Sequence, residues 1–181
     1  MDKSYPKVSG EWTLFLDRDG VINKKLEGRY VTRPEEFSLL PGAGEALAYF
    51  SRLFSRIIIV TNQQGIGKEL MTHEDLNLIH ASMVEQLGYF GAHIDEIYYC
   101  PDLEHEDSFN RKPNPGMGFQ AKKDFPEIDF KKSIMVGDAD SDIQFGKSLK
   151  MVTVKISKVK DFQADFTHPS LKDFSIYLDN Y

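Results

Sequence analysis

Cysteine is nearly absent from this chain: Cys100 stands alone among 181 residues. That excludes an intramolecular disulfide and suits a reducing compartment. Long apolar runs are missing as well. None approaches the roughly 18 to 20 residues a membrane span requires, and the opening MDKSYPKVSGEW has no signal-peptide apolar core. A surplus of positive charge is also lacking. With 22 Lys and Arg against 28 Asp and Glu, the formal net charge is −6, which argues against an extended surface that tracks nucleic-acid phosphates while allowing a local basic pocket. Repeats and low-complexity tracts do not occur. These absences lead to the expectation of a soluble cytoplasmic protein with no nucleic-acid and no membrane partner; a monomer or weak homo-oligomer is expected beside that. With 41% hydrophobic composition, residues 1–181 are expected to form a single domain around one buried core.

Short apolar runs of strand length recur at residues 12–16, 57–61, 94–99, 133–136 and 151–156, each rich in β-branched or aromatic side chains. Between them lie helical spacings. Leu47, Phe50, Leu53 and Phe54 form one stripe; Leu76, Ile79, Met83 and Leu87 form another, opened by Thr72 as N-cap with Glu74 and Asp75 in the first turn. Residues 165–181 read as a final short helix begun near Pro169, with Leu171, Phe174 and Leu178 on its buried side. Strands alternating with helices predict right-handed βαβ units. The expected fold class is therefore α/β, a Rossmann-like three-layer sandwich with a mainly parallel sheet. In such folds ligands sit at the carboxyl ends of the strands.

What ends each strand is then informative. The first runs into LFLDRDGVIN, with Asp17 and Asp19 separated only by Arg18. Residues two apart share a face of a strand, so both carboxylates crowd one site if the extended geometry persists; a solvated Asp-Gly turn is the alternative. The second strand ends in Thr61-Asn62-Gln63, the fourth in Gly137-Asp138-Ala139-Asp140-Ser141-Asp142, and Arg111-Lys112-Pro113 precedes it. Gathered on one sheet edge, these groups suit phosphoryl transfer. A carboxylate attacks phosphorus, a Mg²⁺ held by other carboxylates offsets the anionic repulsion, and a lysine and a hydroxyl stabilise the transferring oxygens. Thr61 also fits a plain strand position, and Asp142 fits a helix first turn stabilised by the macrodipole alone; both readings stand side by side. The five histidines are scattered and read as solvated or singly hydrogen-bonded.

The ordered motifs LFLDRDG, IIIVTNQ, RKP and IMVGDADSD resemble the four signature motifs of the haloacid dehalogenase superfamily of aspartate-nucleophile phosphohydrolases. DRDGVIN, YVTRPEEFSLLPGAGEAL, VTNQQGIG and RKPNPGM resemble more narrowly its branch of heptose 1,7-bisphosphate and histidinol-phosphate phosphatases. The resemblance covers residues 12–156 and implies a haloacid dehalogenase-like fold, here with no large cap domain. By the same resemblance Asp17 is the nucleophile, and Asp19 is the general acid/base whose backbone carbonyl also reaches the metal. Thr61 and Lys112 bind the transferring phosphoryl group, and Lys112 also holds Asp17. Asp17, Asp19 and Asp138 make the Mg²⁺ site, supported by Asp142, which orders metal-bound water or braces its loop. Asn62, Gln63 and Arg111 face the substrate.

Relatives of this branch carry a structural zinc on a Cys-x-His pair and a Cys-x-Cys pair ahead of RKP. Here Cys100 is present, but Asp102, Ser108 and Asn110 stand at the other three positions. One thiolate without imidazole or further thiolates is a poor tetrahedral site, so no structural zinc is expected. The expected activity is Mg²⁺-dependent hydrolysis of a small phosphorylated metabolite through an aspartyl-phosphate. A heptose 1,7-bisphosphate is the first choice and histidinol phosphate the second. A polynucleotide end phosphatase and a non-catalytic binding module are the rivals.

Overall fold

The computed structural model describes residues 5–180; residues 1–4 of the opening stretch, and Tyr181 at the end of the C-terminal segment, lie outside them. The strands are β1 (Thr13–Leu16), β2 (Arg56–Asn62), β3 (Glu96–Cys100), β4 (Ser133–Gly137), β5 (Val152–Ile156) and β6 (Phe166–His168). The helices are α1 (Ala43–Leu53), α2 (His73–Gly88), α3 (Gly116–Asp124), α4 (Asp140–Ser148) and α5 (Leu171–Asp179). The strands form one sheet in the order β3-β2-β1-β4-β5-β6, parallel at every pairing. The expected α/β class is what the chain adopts, and the sheet is wholly parallel.

The three layers follow from the period-2 pattern of buried strands. Leu14, Leu16, Ile57, Ile59, Ile134 and Val136 point to one face, where Leu47 and Phe50 of α1, Leu76, Ile79 and Met83 of α2, and Phe174 of α5 cover them. Phe15, Ile58, Val60 and Met135 point to the other, against Met117 and Ala121 of α3 and Phe145 and Leu149 around α4. Thr72 caps α2 as expected: its hydroxyl accepts from Asp75 N at 3.1 Å, and the Asp75 carboxylate accepts from Thr72 N at 2.8 Å. Removing that cap costs about 1 kcal/mol.

Four elements depart from expectation. Residues 166–168 add the unforeseen edge strand β6, while the final helix expected to begin near Pro169 is α5, starting at Leu171. Helices α3 and α4 fill stretches that carry no clear apolar stripe. The strand β1 ends at Leu16, so Asp17 and Asp19 are not placed by strand alternation. Asp17 N still bonds Val136 O of β4 at 2.9 Å, but residues 18–23 coil into a tight turn in which Gly20 N donates to Asn23 O at 2.8 Å. β1 lies between β2 and β4, the point where the chain reverses its direction of growth across the sheet. A crevice opens there at the carboxyl edge.

Candidate active site

Loops from four strand ends build the crevice, a cleft of ≈ 220 Å³. Asp17, Asp19, Asn62, Gln63, Arg111, Lys112, Asp138 and Asp142 all line it; of the expected set, only Thr61 does not. Buried in β2, Thr61 turns its hydroxyl to Gln63, whose Nε2 donates to it at 2.9 Å. That places Thr61 beneath the cleft wall rather than on it.

At the floor, Lys112 is 3% exposed and its ammonium spans two carboxylates, Asp17 Oδ1 at 2.7 Å and Asp142 Oδ1 at 2.6 Å. Burial disfavours its charge, but the Asp142 and Asp17 carboxylates outweigh that and hold its pKa above the ordinary lysine value. Asn62 fixes the lysine in place. Its Nδ2 donates to Lys112 O at 3.0 Å and its Oδ1 accepts from Lys112 N at 3.0 Å, so the Asn62 amide grips the loop rather than offering itself to a ligand. Burial pushes the Asp17 carboxyl up to about 7, with Asp142 and Asp19 adding to the rise and Lys112 opposing it. An anionic Asp17 therefore calls for a further cation nearby.

The donor set fits one. Asp17, Asp138 and Asp142 each offer an oxygen within 4.8 Å of the others, and an all-carboxylate set suits a hard divalent cation such as Mg²⁺. The turn is shaped around this cluster. Gly20 has φ +88°, and a Cβ there would lie 2.3 Å from Asp138 Oδ2; at Gly137 a Cβ would lie 2.1 Å from Asp142 Cβ. Asp142 has two occupations. Besides standing in this trio it receives Lys112 on Oδ1 and Ala139 N on Oδ2 at 3.0 Å, which ties the start of α4 to the lysine. Burial raises the Asp138 carboxyl as well, opposed by Lys25 at 3.4 Å.

Asp19 faces a different environment. Arg18 Nη2 donates to both its oxygens, at 3.0 and 2.9 Å; Asn23 Nδ2 reaches Oδ1 at 2.9 Å and Gln63 Nε2 reaches Oδ2 at 2.8 Å. Burial acts to raise its pKa, but the Arg18 charge and these hydrogen bonds prevail and lower it. Like the amide of Asn62, that of Gln63 is engaged inside the protein, bridging Asp19 and Thr61.

Several lining groups were not singled out from sequence. Lys25, Arg29 and Tyr30 come from the connection after β1, and Gln64 and Ser141 from the ends of β2 and β4. The Tyr30 hydroxyl accepts from Gln64 Nε2 and from Lys68 Nζ, both at 2.9 Å. The basic residues in NKKLEGRY were the available signal. Arg111 adds a further cation, its Nη1 bonded to Asp102 O at 3.1 Å. A second polar hollow of ≈ 170 Å³ continues past Arg111 to Glu104 and Asp107.

The loop of residues 101–115 is held by hydrogen bonds. Cys100 Sγ donates towards Asp102 Oδ2 at 3.5 Å and lies 3.8 Å from Ser108 Oγ, Asn110 N donates to that hydroxyl at 3.3 Å, and Asn114 Nδ2 donates to Ser108 O at 3.0 Å.

Comparison with known proteins places the chain among phosphatases. A family model described as polynucleotide kinase 3 phosphatase matches residues 14–174. The D-glycero-alpha-D-manno-heptose-1,7-bisphosphate 7-phosphatase of Mycobacterium bovis is 39% identical over 143 residues, which cover 79% of this chain and 75% of that protein. The enzyme of the same name from Campylobacter jejuni is 36% identical over 153 residues, 84% of this chain and 86% of its own. Among solved structures, the D,D-heptose 1,7-bisphosphate phosphatase from B. bronchiseptica, complexed with magnesium and phosphate, overlays with a TM-score of 0.84 at 25% identity, covering 93% of this chain and 98% of that one.

Proposed function

Since the chain belongs to the haloacid dehalogenase superfamily of phosphatases, within the family described as polynucleotide kinase 3 phosphatase, we propose that it is a Mg²⁺-dependent D-glycero-D-manno-heptose 1,7-bisphosphate 7-phosphatase. The observation that carries this reading is the Lys112 ammonium bonded at once to Asp17 and Asp142 beside Asp138. It is a compact arrangement of one nucleophilic carboxylate, one cation and an oxygen trio for a metal, open to a cleft with further cations.

In the proposed mechanism Asp17 Oδ attacks phosphorus and forms the aspartyl-phosphate as the bond to the leaving oxygen breaks. The anionic substrate beside Asp19 raises the carboxyl that Arg18 otherwise holds low, so that Asp19 binds a proton and gives it to that oxygen, then takes one from the water that attacks phosphorus and frees Asp17. Lys112 orients Asp17 and meets the phosphoryl oxygens. Thr61 acts through Gln63, whose amide bridges its hydroxyl to Asp19. Asp17 and Asp138, with the Asp19 carbonyl and the support of Asp142, would hold Mg²⁺. The ion supplies positive charge that keeps Asp17 anionic and balances the phosphoryl group. A bisphosphate fits the rim because Lys25, Arg29 and Arg111 present charge for a second phosphate.

A panel of heptose 1,7-bisphosphate, histidinol phosphate and a generic aryl phosphate, assayed with Mg²⁺ and with a chelator, tests this. Metal-dependent turnover that favours the bisphosphate is expected, with Asp17→Asn lowering kcat on the order of 10³-fold or more. No advantage of the bisphosphate over the aryl ester would overturn the substrate assignment. Absence of turnover on every phosphoester would overturn the enzyme reading in favour of a binding module.

A further inference from the structure

Arg18 is the largest fully buried side chain among the described residues, 1% exposed, yet it lines a solvent-open cleft and pairs with the Asp19 carboxylate. A guanidinium carries five donors and cannot shed its proton, so each buried donor needs an acceptor. Nη2 finds Asp19 and also Gln63 Oε1 at 3.3 Å. Nε has no hydrogen-bond partner. Nη1 donates to His80 Nε2 at 3.2 Å, which requires His80 to be neutral with its proton on Nδ1. Burial and the adjacent Arg18 charge both favour that neutral form, taking the His80 pKa down to about 3.

His80 belongs to α2, beneath the sheet edge and 62 residues from Arg18, and it does not line the cleft. It is buried to 7% exposure, with the Tyr99 ring edge-on at 6.1 Å. Among the described residues, the charged groups that act on it are Arg18 and Asp19, both in the turn after β1. A chain therefore runs from α2 through a locked guanidinium to the carboxylate that the mechanism uses for proton transfer.

We propose that Arg18 and His80 are positioning residues for the proton-transferring step: His80 orients the Arg18 fork, and the fork holds the Asp19 carboxylate at the angle from which it serves the leaving oxygen. This inference rests on the phosphatase reading above and deepens it. Without His80, Nη1 joins Nε as an unpaired buried donor, the guanidinium turns to seek another acceptor, and both Asp19 oxygens lose Nη2, which leaves only the Asn23 and Gln63 amides to hold them. The nucleophile keeps its own partner, Lys112 at 2.7 Å from Asp17 Oδ1.

The leaving group gives the test. An alkyl alkoxide departs poorly without a proton, whereas a p-nitrophenolate departs without help, so only the first depends on a well-placed acid. kcat/KM is the readout, since it covers the steps through leaving-group departure and excludes later hydrolysis of the aspartyl-phosphate. With Mg²⁺ present, His80→Leu is expected to lower kcat/KM on an alkyl phosphate about 10-fold to 10²-fold while changing that on p-nitrophenyl phosphate by less than about 3-fold. His80→Gln, whose carbonyl can accept from Nη1, is expected to restore most of the loss. The ratio of the two substrates in one preparation does not depend on how much of the variant folds. Equal losses on both esters, or a ratio unchanged from the parent, would overturn the inference while leaving the phosphatase intact. No turnover of either ester by the parent would overturn the phosphatase reading and this inference with it.

Discussion

At the scale of single residues, the least legible group is His80. It falls four residues after Leu76 and next to Ile79, inside the apolar stripe of α2, and that placement on a buried face was the signal available in the sequence. What it touches was not readable, because Arg18 looked like a spacer between two aspartates. Its burial has a consequence for stability. The folded chain keeps His80 neutral down to about pH 3, whereas the unfolded chain protonates it near its ordinary 6.5. Between those values the unfolded state binds more protons, so stability falls as pH drops and is retained above 6.5. At pH 5 this one group removes about 2 kcal/mol. Urea denaturation at pH 7 and pH 5 should show that loss, and His80→Gln should reduce it; equal pH dependence in parent and variant would contradict the assignment. Asp17, Asp138 and Lys112 were each legible by contrast. A carboxylate directly after a buried strand, or a lysine at a fixed place among ordered motifs, already points to the sheet edge where such folds bind ligands.

At the scale of elements, long buried strands and strongly periodic helices were legible, and short or glycine-bearing ones were not. Helix α3 contains Gly116 and Gly118, each disfavoured in a helix by about 1 kcal/mol relative to Ala. The packing requires Gly116, where a Cβ would lie 2.4 Å from the backbone Phe109 O, and favours Gly118, where one would lie 2.4 Å from the movable Leu149 Cδ1. Tertiary contact overrides local propensity there. Strand β6 has only three residues and a half-exposed pattern, too short for alternation to register. The 101–115 loop shows the converse case, in which side-chain chemistry was informative. Asp102 and Ser108 meet Cys100 through hydrogen bonds, and Asn110 bonds to Ser108, so the loop has internal partners at the positions where relatives of the branch place zinc ligands. Metal analysis of protein purified without added zinc should find well under one equivalent; a tightly held equivalent would refute this.

At the scale of the whole molecule, charge separates two substrate classes. The family description names a polynucleotide phosphatase, while the net charge is −6 and Lys25, Arg29 and Arg111 form a local cluster at the cleft. Such a rim serves one small polyanion better than a strand of repeated phosphates, which needs many cations along its length. A 3′-phosphorylated oligonucleotide at physiological salt should therefore be hydrolysed with a kcat/KM at least about 10²-fold below that of heptose bisphosphate; parity would favour the polynucleotide reading. The amino-acid sequence by itself determined the strands β1 to β5, the order of the motifs and the acidic character of the edge where they end. Those features are written in the spacing of neighbouring residues and in the chemistry of short segments. Only the tertiary structure decided which atoms meet: Lys112 with Asp17 from 95 residues away, His80 with Arg18, and Thr61 turned beneath the wall instead of into the cleft. Such pairings depend on the register of parallel strands and the packing of helices across them, and no local pattern specifies a distance across a sheet.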